Sequence, residues 1–334
     1  MMTRRAAAVL SIAPVAVFFA SLFVGRFVIA PAEVARILWA QFFPITHDWP
    51  ASVETIVLQI RFPRSIMAMF VGAGLAASGA AYQGMFRNPL VSPDILGVTA
   101  AAGFGAALAL LLSRNPLELQ IIAFAFGLGG VALTYLLARI YRTTPVLMLV
   151  LSGVVVAAFF SALLSGAKYV ADPESKLPAI TYWLLGSLNG ASTRTLAMAL
   201  PPIIVGGVGL LFVRWQLNVL AMGDEEARSL GIRTELLKAI VIACTTLITA
   251  ASVSVCGIVG WVGLVVPHLG RMLVGPDHRA LLPATLSIGA TYLLFIDGVA
   301  RTAVATEIPL GILTAMIGAP FFAYLLRRTR GSWQ

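Results

Sequence analysis

A chain of 334 residues with 59% hydrophobic and 11% charged content lies far outside the composition of a soluble globular domain. Basic residues outnumber acidic ones by 23 to 14, yet Lys and Arg gather at the ends of apolar runs, which is the placement of a membrane orientation signal and not of a nucleic-acid surface. A soluble enzyme and a nucleic-acid-binding protein are both excluded. What remains is a single all-α, polytopic membrane domain over residues 1–334, with no linker to mark a second.

Arg4 and Arg5 open the chain and precede an apolar stretch at 6–25. It is longer than the roughly 7–15 residues of a signal h-region and matches the roughly 20 that span a bilayer, so it predicts a first transmembrane helix. Further apolar runs follow at 65–86, 95–112, 119–137, 146–166, 196–213, 239–266, 281–296 and 308–326. The run at 239–266 contains Gly257, Gly260 and Gly263 and is long enough for one full span and a short, broken one. Counting it twice gives ten spans. Parity agrees, because Arg4 and Arg5 at one end and Arg327, Arg328 and Arg330 at the other belong inside by the positive-inside rule. On this topology Arg87, Arg139, Arg142, Arg214, Arg228, Arg233, Lys238, Arg271 and Arg279 are also inside. The sizeable outer segments are 27–64 and 168–194, and the largest inner one is 214–238.

Several local patterns stand out along this frame. Gly72, Ala76, Ala80 and Gly84 form a small-residue ladder on one helix face, which suits close helix packing in lipid or the wall of a path. The loop at 85–98 reads MFRNPLVSPDILGV; Pro89 and Pro93 fix extended backbone, and Asp94 is expected to cap the next helix. It is either a plain tight turn or a narrow loop beside a pore, with Asn88 and Leu90 directed into it. The island LNVLAMGDEEARSLG at 217–231 carries Asp224, Glu225, Glu226 and Arg228, four charges within five residues. Cys244 and Cys256 are twelve residues apart, roughly 18 Å along a straight helix, too far for a disulfide.

Pro267, His268, Arg271, Asp277, His278 and Arg279 crowd the block GLVVPHLGRMLVGPDHR at 263–279, which reads as a short inner turn. Ten residues and interleaved basic groups separate His268 from His278, which fits no compact metal-ligand set. Asp297 and Arg301, four residues apart, are spaced to pair on one helix face near the outer boundary, either as a structural ion pair or to dock an external protein. Glu307 and Pro309 begin the last span. No GxxxxGK[ST], HExxH or GxSxG motif occurs, so neither ATP hydrolysis nor hydrolytic catalysis is encoded. Few ionisable residues fall inside the spans, against a proton relay. A transporter of this kind borrows its energy from a partner.

At these residues the chain resembles the FecCD-type permeases, the membrane subunits of bacterial ABC importers for iron-siderophores, haem and vitamin B12. The matching segments are QIRFPRSI at 59–66, RNPLVSPDILGV at 87–98, the island at 217–231, the block at 263–279 and IDGVARTAVATEIPLGILTAMIGAPFFAYLLRR at 296–328. The resemblance implies the type II importer permease fold, with ten helices and a homodimer around a pore on the two-fold axis. It implies the bacterial cytoplasmic (inner) membrane with both termini cytoplasmic. It implies two separate ATP-binding subunits that carry ATP and Mg, no cofactor on this chain, and a periplasmic or lipid-anchored substrate-binding protein. The island would form coupling helices seated on the ATPase, a role falling on Gly223, Asp224, Glu225, Ala227, Arg228, Leu230 and Gly231. Arg61, Arg64 and Arg301 would pair with the binding protein, and Asn88 and Leu90 would form part of the inner gate. The second gate position departs from the family, with TTPVLM at 143–148 where small hydroxyl residues are common.

Iron-siderophore is the expected cargo, with haem, cobalamin and molybdate as alternatives; a single outer histidine, His47, speaks against a histidine-relayed haem path. Two other classes stay open: a secondary transporter, which calls for membrane-embedded acids and paired broken helices, and a non-transporting scaffold.

Overall fold

A computed structural model describes residues 4–46, 48–113, 115–139 and 143–328; His47, Arg142 and Arg330 lie outside the described residues. The chain folds as a bundle of helices: α1 (Arg4–Phe23), α2 (Pro31–Ala40), α3 (Ala51–Thr55), α4 (Phe62–Met85), α5 (Val98–Leu112), α6 (Pro116–Ala138), α7 (Val146–Val170), α8 (Lys176–Leu184), α9 (Thr193–Phe212), α10 (Arg214–Leu220), α11 (Asp224–Ser229), α12 (Thr234–Cys256), α13 (Val262–Val274), α14 (His278–Thr302) and α15 (Leu310–Arg328). Among the described residues six stretches are long and apolar enough to cross a membrane, and four shorter apolar helices join them: Val9–Phe23, Val98–Leu112, Val262–Val274 and Leu310–Tyr324.

Two sequence expectations are corrected and one boundary moves. The helix expected over 65–86 begins within the segment 27–64, because α3, a π-helical turn at Ile56–Arg61 and α4 form one continuous helix over Ala51–Met85. Pro63 lacks an amide hydrogen and would crowd the carbonyl four residues before it; the wider π turn sits where that clash would fall. The block 263–279 is mostly helix, with Pro267, His268 and Arg271 on α13, and only residues 275–277 turn the chain into α14. Asp94 does not cap α5. That helix starts after Gly97, which has φ 82°, and Asp94 instead takes the Ser92 hydroxyl on its carboxylate and the Gly97 amide, at 2.8 Å, on its carbonyl.

The broken span occurs as expected. α12 stops at Gly257, φ 68°, and α13 starts after Trp261. The 13 residues of α13 cover about 20 Å, less than a bilayer core of about 30 Å, so α13 is too short to cross one by itself. Irregular backbone between two apolar helices has to be satisfied by protein where lipid surrounds it. The Ser187 amide donates to the Cys256 carbonyl at 2.8 Å, and the Leu310 and Gly311 amides donate to the Gly186 and Leu185 carbonyls at 2.9 and 3.0 Å.

α4 is the central helix, buried on nearly all sides, and the ladder explains why. A Cβ on Gly72 would lie 2.2 Å from the Gly289 carbonyl oxygen, and one on Gly289 would lie 2.3 Å from that of Gly72. Lower on the same face, Gly84 leaves room for the His278 ring, whose Nε2 would be 2.4 Å from an added Cβ. Gly79 meets Gly263 of α13 at 1.8 Å in the same sense. Backbones therefore touch where lipid supplies no hydrophobic drive, and dispersion carries the packing.

At the end of the bundle away from the island, charged side chains lock three helices. Arg64 pairs with Asp297 and Glu307, both at 2.9 Å, and with Asn189 Oδ1 at 2.7 Å. Arg301 pairs with the same Asp297 at 3.0 Å and donates to the Ser21 and Val24 carbonyls of the α1 end at 3.3 and 3.2 Å. Arg61 donates to the Leu22 carbonyl at 2.7 Å and to that of Phe27. Arg64 and Arg301 balance Asp297 and Glu307, while the Arg61 guanidinium is held by backbone carbonyls. Arg61, Arg64 and Arg301, the three expected to pair with a binding protein, are only 3%, 5% and 5% exposed, and their guanidinium groups are engaged by partners inside the bundle.

Asp297→Ala leaves Arg64 and Arg301 short of a buried carboxylate and is expected to cost about 3–5 kcal/mol, while Arg36→Ala, at the exposed pair with Asp48, is expected to leave stability nearly unchanged; melting temperatures of the purified protein compare them. Gly79→Leu, forced into the Gly263 backbone, is expected to lose about 3 kcal/mol or more. Gly129→Ala, with nothing within 4 Å of the added Cβ, is expected to change stability by no more than about 0.5 kcal/mol in the same measurement.

Candidate functional site

The island folds into two short helices, α10 and α11, joined by a turn at Gly223. That residue has φ 144°, and a Cβ there would lie 2.0 Å from Glu226 Oε2, so any side chain would be strained and would collide. Asp224, Glu225 and Glu226 fill the first turn of α11, where the helix dipole favours negative charge. The helix ends in a Schellman motif: Ile232 N–H donates to the Ala227 carbonyl at 3.0 Å, Gly231 N–H donates to that of Arg228 at 2.9 Å, and Gly231 has φ 81°. Ala227 is fully buried beneath it, while Met222 and Leu230 stand 61% and 60% exposed. The island thus has a fixed shape and an outer face that mixes acids with apolar side chains.

Two clamps join the island to the bundle. In the first, the fully buried Lys238 of α12 reaches Asp224 of α11, lies 3.7 Å from Glu235 Oε1, and donates to the Thr144 carbonyl at 3.2 Å. Glu235 accepts from the Thr144 amide at 2.8 Å and from its hydroxyl, and lies 3.5 Å from the Arg228 guanidinium. Arg228 also donates to the Thr234 hydroxyl at 3.1 Å. Thr144 is two residues before α7, so the foot of that helix is tied directly to the island. In the second, Asn218 of α10 donates to Asp277 at 2.6 Å and accepts from the His278 amide at 2.8 Å, with the His278 ring Nδ1 at 2.9 Å. The Arg279 amide, at 2.9 Å, and Asn218 hold the Asp277 carboxyl below the usual carboxylate range, where it caps α14.

Between these clamps the structure brings together three segments that are remote in sequence. A cavity of about 470 Å³ is bounded by the loop after α4, the island and the α13–α14 junction. Arg87, Asn88, Asn218, Met222, Arg271 and Asp277 all face it. The loop is braced by Gln83, 4% exposed, whose amide donates to the Val91 carbonyl at 3.1 Å while its oxygen accepts from Arg271 at 2.6 Å. Asn88 accepts the Leu90 amide on its own side chain at 2.9 Å and so shapes the turn itself. Leu90 is 48% exposed. Pro267 is buried within α13, and His268, half-buried on the same helix, takes no part in either clamp.

Lys238, Glu235, Asn218 and Gln83 were missed from the sequence. For the first two a signal existed, since an acid and a lysine three residues apart at the start of an apolar helix are costly there without partners. Asn218 and Gln83 carry no such signal, because their partners lie 59 and 188 residues away.

The FecCD transport family model matches residues 13–328. The molybdate import system permease protein MolB of Haemophilus influenzae is 41% identical over 93% of this chain and 91% of its own length. A probable iron chelatin transport system permease protein of Helicobacter pylori is 42% identical over 84% of this chain and 85% of its own. Among solved structures, an inward-facing conformation of a putative metal-chelate type ABC transporter superposes with a TM-score of 0.82 at 39% identity, covering 95% of this chain and 97% of that one. A helical bundle with a broken span and a two-helix island is the type II importer permease fold, and the chain belongs to the FecCD transport family, the separate membrane permease subunits of ABC importers.

Proposed function

We propose that the chain works as a homodimeric, ten-span translocation unit in a bacterial inner membrane, with both termini and the island in the cytoplasm. Two separate ATPase subunits carry ATP and Mg, and a substrate-binding protein docks at the opposite end. The observation that carries this reading is the island: a preformed pair of short helices with an acidic and apolar outer face, clamped to the foot of α7 and to the start of α14. Closure of the motor pushes α11; Lys238 and Glu235 pass the displacement to Thr144 and α7, and Asn218 passes it to α14. Because α14 is locked to α4 by backbone contact, the helices move as a body and tilt rather than deform, which alternates access. Asn88 and Leu90 lie where that motion would open the inner mouth.

The cargo proposed first is an iron chelate, in keeping with the iron chelatin and metal-chelate relatives and with a path poor in charge. Molybdate is the second reading. It is favoured by the longer match to the molybdate permease and by Arg87 and Arg271 beside the inner cavity, where an oxyanion could be held. Uptake by proteoliposomes containing the chain, its ATPase and its binding protein tests both, with a ferric chelate and molybdate as competing substrates. Uptake that persists without the ATPase would overturn the proposal in favour of a gradient-driven carrier.

Reversing Asp224 and Glu225 to lysine is expected to lower uptake per ATP hydrolysed roughly ten-fold or more, the scale of a coupling free energy of about 1–3 kcal/mol. Lys238→Met, which removes the buried ammonium joining Asp224, Glu235 and the Thr144 carbonyl and leaves every exposed island residue in place, is expected to keep ATPase binding and to lose transport in the same assay.

A further inference from the structure

A second cavity, of about 760 Å³, opens on the flank of the bundle between α1, α4 and α14. Its walls are apolar over most of their length, with Leu10 and Pro14 from α1, Phe70 and Ala73 from α4, and Pro283 and Ala290 from α14. At the island end it is framed by Arg214 and Arg279, both exposed, with Asp277 beside them. The slot is preformed, because the Ser287 hydroxyl of α14 donates to the Leu10 carbonyl and holds α1 against its floor.

Its length is informative. From Arg279 to Ala290 the slot follows α14 for eleven residues, about 16 Å, which is half of a hydrocarbon core of about 30 Å. It also stops half-way along α1, at Pro14, and on α4 it is lined only by Met69, Phe70 and Ala73, near the middle of the continuous helix. The slot therefore covers one leaflet, with its charges at the surface and its apolar walls reaching the midplane. The Asp277 carboxylate is already engaged by Asn218 and by the Arg279 amide. Neither the Arg214 nor the Arg279 guanidinium joins a salt bridge among the described residues.

We propose that this slot binds one anionic phospholipid, with its phosphate between Arg214 and Arg279 and an acyl chain lying along α14 to Ala290. Guanidinium groups take phosphate oxygens in a bidentate fashion, and basic pockets between transmembrane helices select acidic headgroups. Placing the lipid in the cytoplasmic leaflet rests on the orientation proposed above; the site itself does not. A lipid wedged here fills the gap between α1 and the α4–α14 pair on the side where the island delivers its displacement through Asn218.

The test uses the purified full-length chain, delipidated in detergent and titrated with phosphatidylglycerol or phosphatidylcholine of identical acyl chains, with bound lipid counted by native mass spectrometry. One phosphatidylglycerol per chain is expected to be retained, and the R214Q/R279Q double variant to bind it about thirty-fold more weakly, as expected for two arginines at a membrane surface. The variant A73F, which fills the slot and keeps both arginines, is expected to lose the lipid as well. Arg139→Gln, at an exposed arginine elsewhere on the chain, is expected to bind like the parent. Equal retention of phosphatidylcholine would overturn the proposal, as would undiminished binding in either slot variant or an equal loss in R139Q. Competition by glycerol phosphate alone at the same concentration would assign the site to a soluble anion, and a cross-link from the slot to a second copy would assign it to a protein interface; either result overturns the lipid. No ATPase or transport is involved, so the outcome is independent of whether the coupling and cargo readings hold.

Discussion

Backbone contact between α4 and α14 is the constraint on which the rest of the molecule depends. In water a bundle of this size would be held by apolar burial, but in lipid the tails outside are as apolar as the side chains inside. Gly72 and Gly289 let two carbonyl oxygens approach to distances that no Cβ would permit, and Gly84 admits the ring of His278. Dispersion between closely apposed backbones is summed over the length of both helices. The pair becomes a rigid spine, against which α1, α9, α12 and α13 are laid.

Charges pin the two ends of this spine in different ways. Away from the island, Arg64, Asp297, Arg301 and Glu307 form a balanced cluster that draws the ends of α1, α4, α14 and the start of α15 together. Arg64, Asp297 and Arg301 are almost fully buried and Glu307 is partly so, so its strength lies in the cost of breaking it rather than in net stabilisation. At the island end Lys238 sits among Asp224, Glu235 and the Thr144 carbonyl, but its carboxylate partners are about a third exposed. The cluster away from the island is the more rigid of the two, and the partly exposed one at the island suits the joint proposed above.

The broken helix at Gly257 belongs to the same scheme. The Cys256 carbonyl at its edge accepts the Ser187 amide, and the neighbouring Leu185 and Gly186 carbonyls accept the first amides of α15, so the irregular chain is met by protein groups. The segment around Gly186 thereby links α15 to the end of α12. Displacement at the island can therefore reach the far side of the bundle through covalently and hydrogen-bonded elements, without requiring any helix to bend in its middle.

Much of the fold was legible in the residues themselves. Runs of apolar residues of bilayer length, the glycine-rich interruption near Gly257 and the ladder on α4 follow from local composition and period. The acidic island with Gly223 and Gly231 at its turns is equally local, since φ > 0 and helix-dipole complementarity are properties of a few consecutive residues. The structure decided what depends on distance. Arg64 carries no mark in the sequence that tells an outward-facing arginine from one buried against carboxylates more than two hundred residues away, nor does Arg61 show that backbone carbonyls of the α1 end will hold it. The start of α4 was misplaced because a π turn around Pro63 lets a helix continue through a residue that normally ends one. Glu235, Lys238 and Asn218 acquired their roles only when α7 and α14 were brought beside the island, because an ion pair or a clamp is a relation between elements. One chain segment can specify its own helix and its own turn, but which charge meets which partner is settled only by packing.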